Sequence, residues 1–391
     1  MYPNLGVLYL AAVLEQAGHR VQIADLRDKK ADIDLIPEAS IIGFSATTGE
    51  ISDARQLAQL AKSRDPKCTT VIGGAHASLL PEDCDQYFDC VVIGEGEFAL
   101  ADIEKGILAK RTYMPRIEDL DSLPFPARHL ANCFSETLIP GEKYGHAEKA
   151  TTVIFSRGCI WGKCSFCANM LKQPVIYRSP ENIRDEIQEL ISKYDCRSFR
   201  VEDDNFTANP GWMMRVCEKL APLRVKFKAH SRGNLITEDC IVALKEAGCI
   251  EMGTGLESAD QRVLDKVNKG VRVEDSGKAI ELLKKHGIIS KVYFVMHLPL
   301  ETEETIRLNK KFMETYRPDK WTCSRFAPYP GSPVWQNPKA FGITWIDPDY
   351  AHYWNFFNSG LIEYEDASRE ELDKRYQEFY RWLSEHCSNN R

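Results

Sequence analysis

The stretch TTVIFSRGCIWGKCSFC, residues 151–167, joins a strand pattern to a loop with three closely spaced cysteines. Residues 151–156 read as a buried strand, and Cys159, Cys164 and Cys167 follow it. Thiolates at such close spacing can hold one iron–sulfur cluster from a single loop. Three thiolates, rather than four, leave one iron with an open coordination position. We therefore predict a cluster that binds a molecule at its open iron and passes an electron to it.

Other kinds of site use cysteines in different patterns. A zinc site needs a fourth ligand, and no Cys or His follows at the usual local spacing, although Cys133 or Cys196 could supply one from elsewhere in the chain. A disulfide is disfavoured in a reducing compartment, and an electron-transfer ferredoxin uses a fourth nearby thiolate. The chain has 13 cysteines, an odd number, so we expect mostly free thiols and metal ligands.

Strand and helix patterns alternate from residue 151 to residue 335. Helix starts are predicted at Ser179, Asn209 and Thr237, residue types that cap helix N-termini. Six strand–helix units predict a partial (β/α)6 TIM-type barrel, with its chemistry at the C-terminal ends of the strands. After the strand at residue 151, strand candidates recur at 199–203, 225–230, 250–255, 291–296 and 321–326.

Residues 336–391 form an aromatic-rich C-terminal segment that ends in a helix, for which Ser368 and Glu371 make a capping box. Aromatic residues at this density either pack as a core that closes the barrel or line an apolar substrate pocket. The aromatic residues in question are Trp335, Phe341, Trp345, Tyr350, Tyr353, Trp354, Phe356 and Phe357.

Residues 1–110 predict a separate α/β domain. A helix at 5–17 is followed by strands at 21–25, 41–46, 69–74 and 90–97, the last leading into a helix, with another helix at 51–63. Alternating strands and helices predict a Rossmann-like parallel sheet that binds ligands at the C-terminal strand ends. Because the pattern opens on a helix, the first strand of such a sheet is expected to be missing. The Pro-containing, charged residues 111–150 are interpreted as a linker.

Composition bounds the class of protein. Of 391 residues, 43% are hydrophobic and 27% are charged, which is typical of globular proteins and excludes collagenous, disordered and coiled-coil chains. A net charge of −7 gives no electrostatic reason to expect nucleic acid or an anionic membrane as partner. The apolar run at 5–14 is too short to span a membrane, which takes about 20 residues, and it lacks a signal-peptide pattern. A cytoplasmic location is expected.

The cysteine loop at the end of a first barrel strand resembles that of radical S-adenosylmethionine (SAM) enzymes. The resemblance implies that Cys159, Cys164 and Cys167 hold a 4Fe-4S cluster, and that the open iron chelates the amino and carboxylate groups of SAM. Phe166 matches the aromatic residue that packs near the adenine. The family usually spaces its cysteines by three residues and then two, whereas this chain has four and then two, with the extra residue in IWGK.

Later strand ends carry further resemblance to this family. In VEDDNF, Asp203 and Asp204 match groups near the methionine amine of SAM, or else cap a helix; in MGTGLESAD, Glu257 is placed to reach the cofactor. Arg232 in SRGN pairs either with a carboxylate of the site or with one on the surface. His297 in FVMHLPLETEET stands where the family usually has glycine, and either faces the active site or packs. The segment RFAPYPGSPVW resembles the closing motif of the sixth strand.

The N-terminal segments GFSATT, VIGGAHAS and VVIGEGE resemble the cobalamin-binding domain that precedes the barrel in one subgroup of the family. Ser45, Gly73 and Gly74 lie at strand ends, where the backbone can approach cobalamin closely, or where the glycines only make tight turns. His76 either approaches the corrin or caps the following helix. The chain has no Asp-x-His-x-x-Gly stretch, so no histidine is marked as the lower ligand of cobalt.

The combined resemblance implies a cobalamin-dependent methyltransferase that cleaves SAM reductively to a 5′-deoxyadenosyl radical and methylates an unactivated carbon. Alternatives are a radical SAM cyclase, rearrangement or oxidation enzyme without cobalamin, methylation by polar transfer, and a non-catalytic metal-binding scaffold or redox sensor. The expected partners are a small-molecule, lipid or peptide substrate and a reductant such as flavodoxin or ferredoxin. The sequence does not identify the substrate.

Overall fold

The structure is a computed structural model that describes residues 4–26, 29, 32–99, 109–134, 149–169, 174–355 and 360–387. The chain divides into two compact units. Unit 1 comprises residues 1–133, 329–331 and 347–355, and unit 2 comprises residues 134–328, 332–346 and 356–391. No helix among the described residues is long and apolar enough to cross a membrane.

Unit 1 contains a parallel four-stranded sheet whose strands lie side by side in chain order. Its core lies between the sheet and α2, where Ile51, Ala58, Ile72 and Val91 are fully buried. The strands are β1 Ile41–Ser45, β2 Thr69–Gly73, β3 Cys90–Ile93 and β4 Arg111–Tyr113, and the helices are α1 Leu5–Gln16, α2 Ile51–Arg64 and α3 Ala75–Leu79.

The predicted strand at 21–25 is wrong, because these residues pair with no described strand. Val21 and Ile23 pack instead against Ala11, Ala12 and Ala127. Strand β1 is the edge of the sheet among the described residues, and it is half-buried or exposed along its length rather than buried. The apolar residues Val21 and Ile23 therefore pack, but residues 21–25 have no neighbouring described strand to pair with.

The sheet of unit 1 extends beyond the predicted boundary at residue 110. Strand β4 lies within the predicted linker and pairs with β3, and Arg111 forms an ion pair with Asp85. The linker interpretation therefore does not hold for residues 111–113, which form the sheet edge opposite β1 because this ion pair and the strand pairing fix them there. The helix predicted after β3 falls mainly on residues outside the described ranges.

Unit 2 contains a parallel six-stranded sheet, again with its strands in chain order, which confirms the predicted partial barrel. The strands are β5 Ala150–Val153, β8 Ser198–Val201, β9 Lys226–Ser231, β10 Cys249–Glu257, β11 Ile289–Met296 and β12 Lys320–Arg325. Two antiparallel pairs accompany them: β6 Ser156–Arg157 with β7 Ile176–Tyr177, and β13 Ile343–Ile346 with β14 Ile362–Tyr364.

The helices of unit 2 begin where the sequence predicts. Ser179, Asn209, Thr237 and Ser368 each accept a hydrogen bond from the backbone N–H three residues later and so cap α4, α5, α6 and α11. The helices are α4 Pro180–Tyr194, α5 Pro210–Leu220, α6 Glu238–Glu246, α7 Gln261–Lys266, α8 Val273–Lys285, α9 Glu303–Tyr316, α10 Pro333–Gln336 and α11 Arg369–His386.

The two faces of the large sheet have different characters. Along β9, Phe227 and Ala229 are buried in the core that α4, α5 and α6 share, whereas Lys228 and His230 between them are only half-buried. Successive side chains of a strand point to opposite faces. The alternate residues therefore line the concave face of the partial barrel, which we call the lumen face.

The C-terminal aromatic residues do not form one core. Tyr350 and Tyr353 belong to unit 1, where Tyr353 is buried, while Phe341 and Ile343 pack in a cluster of unit 2. Phe356, Phe357 and the side chain of Trp354 lie outside the described residues.

Candidate functional site

The three clustered cysteines lie in the loop that follows β6. Cys164 is buried, and Cys159 and Cys167 are half-buried. No group of three or more His, Cys, Asp or Glu side chains among the described residues is arranged to hold a single metal ion. In an iron–sulfur cluster each thiolate binds a different iron atom, so the three sulfurs need not converge on one point.

Two cysteine sulfurs accept hydrogen bonds from neighbouring asparagines. The Nδ2 atom of Asn205 donates to Cys159 Sγ at 3.2 Å, and the backbone N–H of Asn169 donates to Cys167 Sγ at 3.4 Å. Such donors stabilise sulfur that carries negative charge, as thiolates bound to iron do. The residues therefore fit an iron–sulfur cluster. The sequence analysis missed Asn205, although it stands beside the two aspartates singled out in VEDDNF.

Arg232 lies beside the remaining sulfur of the loop, that of Cys164. It is 6% exposed, and its Nη1 atom is 3.9 Å from Cys164 Sγ. Its Nη2 atom donates to the backbone carbonyls of Lys269 and Gly270. The carboxylate partner expected for Arg232 is therefore replaced by two carbonyl oxygens, and the guanidinium charge is placed beside a cluster cysteine.

The turn at residues 267–270 accepts hydrogen bonds from the cysteine loop. Val267 O accepts from the backbone N–H of Ser165 at 2.8 Å, and Asn268 O accepts from Trp161 Nε1 at 2.8 Å. Together with the two bonds from Arg232, all four carbonyls of the turn are engaged. We call this segment the 267–270 turn. It fixes the cysteine loop at several points.

Trp161 lies within the four-residue spacing between Cys159 and Cys164 and contacts the 267–270 turn. Its ring lies against Gly270, where a Cβ atom would be only 2.2 Å from Trp161 Cζ2, and Gly270 has a φ of +62°. The Arg232 guanidinium lies over the ring, 5.2 Å from its centroid. The Trp161 ring therefore forms an indole anchor on the 267–270 turn, and the glycine at 270 leaves room for it.

Asp203 uses its carboxylate to hold the strand that leads into the cysteine loop. It accepts from the backbone N–H of Phe155 at 2.7 Å and from Ser156 Oγ at 2.6 Å. Burial raises the pKa of Asp203 to about 6, although these hydrogen bonds oppose the shift. Both oxygens are thus engaged within the protein.

Asp204 is exposed, and its Oδ2 atom accepts from Asn169 Nδ2 at 2.5 Å. Because Asn169 also donates to Cys167 Sγ, Asp204 orients a residue that contacts the cluster loop. The alternative role of helix cap is filled by Asn209, as predicted.

Glu257 forms a nearly buried ion pair that the sequence analysis did not predict. Its Oε1 atom is 2.6 Å from Lys269 Nζ, and Glu257 has a φ of +67° at the end of β10. Gly255 leaves space for this pair, since a Cβ there would lie 2.4 Å from Glu257 Oε1 and 3.0 Å from Lys269 Nζ. Lys269 Nζ also lies 5.8 Å from the centroid of the Phe166 ring. Phe166, Glu257 and Lys269 are therefore neighbours at one end of the lumen face.

His297 packs rather than facing this site. It is fully buried, its Nε2 atom is 2.9 Å from Leu372 O, and its backbone N–H donates to Glu301 Oε2. Its φ of +68° lies in the left-handed region, which glycine adopts most easily. This conformation accounts for the glycine that resembling sequences have at this position.

Unit 1 presents small residues at adjacent strand ends. Ser45 and Gly73 are register partners at the ends of β1 and β2. Gly74 has a φ of +90°, and a Cβ there would lie 3.1 Å from Ser45 Oγ and 3.4 Å from Ala46 O. Ser45 is exposed and the two glycines are half-buried. These strand ends fit a group, such as cobalamin, that approaches the backbone closely.

His76 lies in the interior of unit 1 rather than at these strand ends. It is fully buried, with Nε2 2.9 Å from Asp83 Oδ2 and Nδ1 3.2 Å from Thr48 Oγ1. Because the carboxylate accepts the proton of Nε2, Nδ1 accepts the Thr48 hydroxyl. Burial lowers the pKa of His76, and Asp83 opposes this shift. Both ring nitrogens are occupied by protein groups.

Comparisons with known proteins agree with this division of the chain. Residues 1–104 match the B12 binding domain family, and residues 153–312 match the Radical SAM superfamily. An uncharacterized methyltransferase of Pyrococcus horikoshii is 28% identical over 368 residues, which cover 85% of this chain and 78% of that protein. The anaerobic magnesium-protoporphyrin IX monomethyl ester cyclase of Rubrivivax gelatinosus is also 28% identical, over 86% of this chain and 66% of its own length.

Solved structures share the fold. The radical S-adenosylmethionine methyltransferase TsrM of Kitasatospora setae, with cobalamin and a [4Fe-4S] cluster bound, has a TM-score of 0.67 at 16% identity, over 85% of this chain and 74% of that one. The cobalamin-dependent S-adenosylmethionine radical enzyme OxsB has a TM-score of 0.64 at 20% identity, over 80% of this chain and 50% of that one. By the family matches, the chain contains a B12-binding domain within residues 1–104, followed by a Radical SAM domain within residues 153–312.

Proposed function

We propose that this protein is a cobalamin-dependent radical SAM methyltransferase that acts on an unactivated carbon atom. The observation that carries the proposal is the cysteine loop, in which Cys159, Cys164 and Cys167 each have a nitrogen donor within hydrogen-bonding distance of sulfur. Its combination with a B12-binding domain supports methyl transfer over other radical chemistry. TsrM, which shares the fold, and the Pyrococcus horikoshii protein, which is 28% identical over 85% of this chain, are both named methyltransferases.

The three cysteines would hold a 4Fe-4S cluster, the end of the lumen face at Phe166 and Glu257 would hold SAM, and Ser45 and Gly73 would border cobalamin. When bound, these groups supply the electron, the radical precursor and the methyl group of the reaction. The protein's own share is to fix their positions and to exclude water and oxygen. No residue that takes or gives a proton is assigned.

Each site residue has a separate task in this proposal. Asp203 fixes the chain that enters the cysteine loop, and Asn205 donates to Cys159 Sγ. Glu257 and Lys269 place opposite charges at the end of the lumen face, where a zwitterion such as SAM finds complementary partners. Arg232 sets a positive charge beside Cys164, which favours a cluster with a negative charge.

A second candidate is a radical cyclase or oxidation enzyme, in which no methyl group is transferred. The observation that favours it is the cyclase of Rubrivivax gelatinosus, which is as similar to this chain as the methyltransferase from Pyrococcus is.

The deciding experiment measures iron and cobalt per chain in protein produced anaerobically with cobalamin, and then the products formed from SAM under reducing conditions. About four irons and one cobalt, with 5′-deoxyadenosine and S-adenosylhomocysteine among the products, support radical methyl transfer. Cobalt without 5′-deoxyadenosine indicates polar methyl transfer. Iron without cobalt favours the second candidate, and zinc in place of iron contradicts the proposal.

We further infer that a low-potential protein such as flavodoxin or ferredoxin supplies the electron, and that the enzyme works in the cytoplasm. Both inferences are supported by the oxygen sensitivity expected of a cluster with an open iron. Reduction of the cluster by purified flavodoxin or ferredoxin, followed by its spectrum, tests the first.

A further inference from the structure

The lumen face carries a group of charged side chains for which the proposed chemistry has no use. They lie on five neighbouring strands, with Glu202 one residue past the end of β8, at alternate positions that point away from the helices. The backbone register places Arg200 beside Lys228 and Lys228 beside Glu251. We call this group the lumen cluster, and its members are Arg200, Glu202, Lys228, Glu251, Lys291 and Lys320.

Both carboxylates of the lumen cluster are already paired. Glu202 Oε1 is 3.0 Å from Arg200 Nε, and Glu251 Oε2 is 3.1 Å from Lys320 Nζ. The second of these pairs is nearly buried, with side-chain exposures of 5% for Glu251 and 11% for Lys320. Four cations therefore share two anions, and the cluster has an excess of two positive charges.

Lys228 and Lys291 carry this excess. Among the residues that the structure describes, no carboxylate lies within ion-pair distance of either ammonium group. Burial is the largest cause that lowers the pKa of Lys228, to about 8, and it also lowers the pKa of Lys291, while Glu251 opposes both shifts and the neighbouring cations add to them. A desolvated pair of like charges is costly unless an anion joins it.

The side chains next to these lysines pack closely around Gly253. Gly253 lies between His230 on β9 and Lys291 on β11 in the sheet register. Where its side chain would be, His230 Nδ1 and Tyr293 approach to 2.6 and 2.7 Å of an ideal Cβ position. His230 Nε2 is buried without a hydrogen-bond partner among the described residues. A ligand in the lumen could therefore satisfy one neutral donor or acceptor as well as two cations.

The lumen cluster lies in register with the SAM end of the lumen face. Gly253 and Gly255 are two residues apart on β10, about 7 Å along the strand. Gly255 adjoins Glu257 and Lys269, and Gly253 adjoins His230 and Tyr293. A molecule that extends along this face would therefore have one end near Glu257 and the other near Lys228 and Lys291.

We propose that Lys228 and Lys291 bind an anionic group, a carboxylate or a phosphate, of a molecule held in the lumen, with His230 as a further polar contact. Two ammonium groups without protein counter-ions supply the charge that such an oxyanion requires. That this anion belongs to the substrate rests on the proposed function, whereas the binding of an anion does not. The substrate is thus an acid or a phosphate ester rather than a neutral lipid.

The test measures binding of inorganic phosphate and of acetate to the full-length, cluster-containing protein by equilibrium dialysis at pH 7. Its variant is Lys228→Met together with Lys291→Met, and its control is Lys278→Met together with Lys311→Met, which removes an equal charge from exposed positions of α8 and α9. We expect saturable binding to the wild type and to the control, and binding at least about tenfold weaker to the double variant. Phosphate bound more tightly than acetate assigns a phosphate group, and the reverse order assigns a carboxylate.

Equal binding by the wild type and the double variant overturns the proposal, and so does the absence of saturable binding to the wild type. The single variants Lys228→Gln and Lys291→Gln keep the test decisive if the double variant does not fold, because each should weaken binding by itself. Iron content and 5′-deoxyadenosine formation are measured on the same samples. Absence of anion binding to a wild type that cleaves SAM normally therefore contradicts only this inference, whereas failure of SAM cleavage in the wild type contradicts the proposed function.

Discussion

The strand ends of the two units are built in opposite ways. In unit 2, charged and polar side chains surround the cysteine loop and form hydrogen bonds or ion pairs within the protein. Asp203, for example, accepts hydrogen bonds from Phe155 and Ser156. In unit 1, the strand ends expose Ser45 and Gly73, and the backbone itself forms the surface. The strand ends of unit 2 therefore select a ligand by charge and hydrogen-bond donors, and those of unit 1 select it by shape. Substitutions should therefore act through lost contacts in unit 2 and through backbone strain in unit 1.

The largest expected effect is the loss of a cluster ligand. Cys159→Ala, Cys164→Ala or Cys167→Ala should each remove nearly all bound iron, because two thiolates do not retain the cluster stably. Iron analysis and the visible absorption of anaerobically purified protein measure this. Cys387→Ala, at a half-buried cysteine of α11's C-cap, is the matched control and should keep its iron. Full iron in any of the three variants would refute its assignment as a ligand.

Loss of the indole anchor should have a smaller effect on how well the cysteine loop retains iron. Trp161→Ala removes the bond to Asn268 O and the ring beneath Arg232, so the cysteine loop loses one of its attachments. We expect iron release to a chelator to become about tenfold faster, which corresponds to about 1.4 kcal/mol. Trp161→Phe keeps a ring but no N–H and should fall between the two. Release rates equal to those of the wild type would show that the loop needs no such anchor.

Asp203 should give stability a distinctive pH dependence. Since burial raises its pKa from 3.8 to about 6, the folded protein binds this proton more tightly than the unfolded chain does. Its contribution to the free energy of unfolding is therefore largest below about pH 4 and decreases by up to about 3 kcal/mol as the pH rises through 6. Asp203→Asn is neutral throughout and should remove this decrease, which denaturant unfolding at several pH values measures. An unchanged pH profile would contradict the assignment.

Two neighbouring glycines of unit 1 should respond differently to the same substitution. Gly74→Ala places a Cβ at a φ of +90° and should destabilise the unit by about 1–2 kcal/mol. At Gly73 a Cβ would lie 3.7 Å from Val92 Cβ, an ordinary contact, so Gly73→Ala should fold normally. If Gly73→Ala nevertheless reduces the cobalt content, the surface at β2's end contacts cobalamin. Thermal unfolding and cobalt analysis together distinguish strain from lost binding.

The sequence predicted the elements whose signals are local. Ser179, Asn209 and Thr237 cap the helices expected of them, because a cap depends only on residues three positions apart. The cysteines were likewise identified from their own spacing. Residues 21–25 show the limit of local patterns, since a strand also requires a neighbour to pair with.

The contacts around the cysteines could not be predicted in this way. The 267–270 turn lies about a hundred residues from Trp161 in the chain, and its acceptors are backbone carbonyls, which every residue has. Nothing in the sequence distinguishes Lys269 from the other lysines, and its ion pair with Glu257 is formed only in the folded chain. An ion pair between residues 12 positions apart, one at a strand end and one in a turn, follows no sequence spacing that would predict it. Asn205 had the best available signal, its place beside two aspartates at a strand end.

The 267–270 turn also has a consequence for how this protein tolerates mutation. Because the turn holds the cysteine loop through main-chain oxygens, a change of side chain at the exposed Asn268 leaves its acceptor in place, whereas Val267 is also buried in the core. Genetic drift at Asn268 is therefore buffered, whereas the donors Trp161 and Arg232 and the cramped Gly270 have no substitute. Saturation mutagenesis should find Asn268 more permissive than Trp161, Arg232 or Gly270.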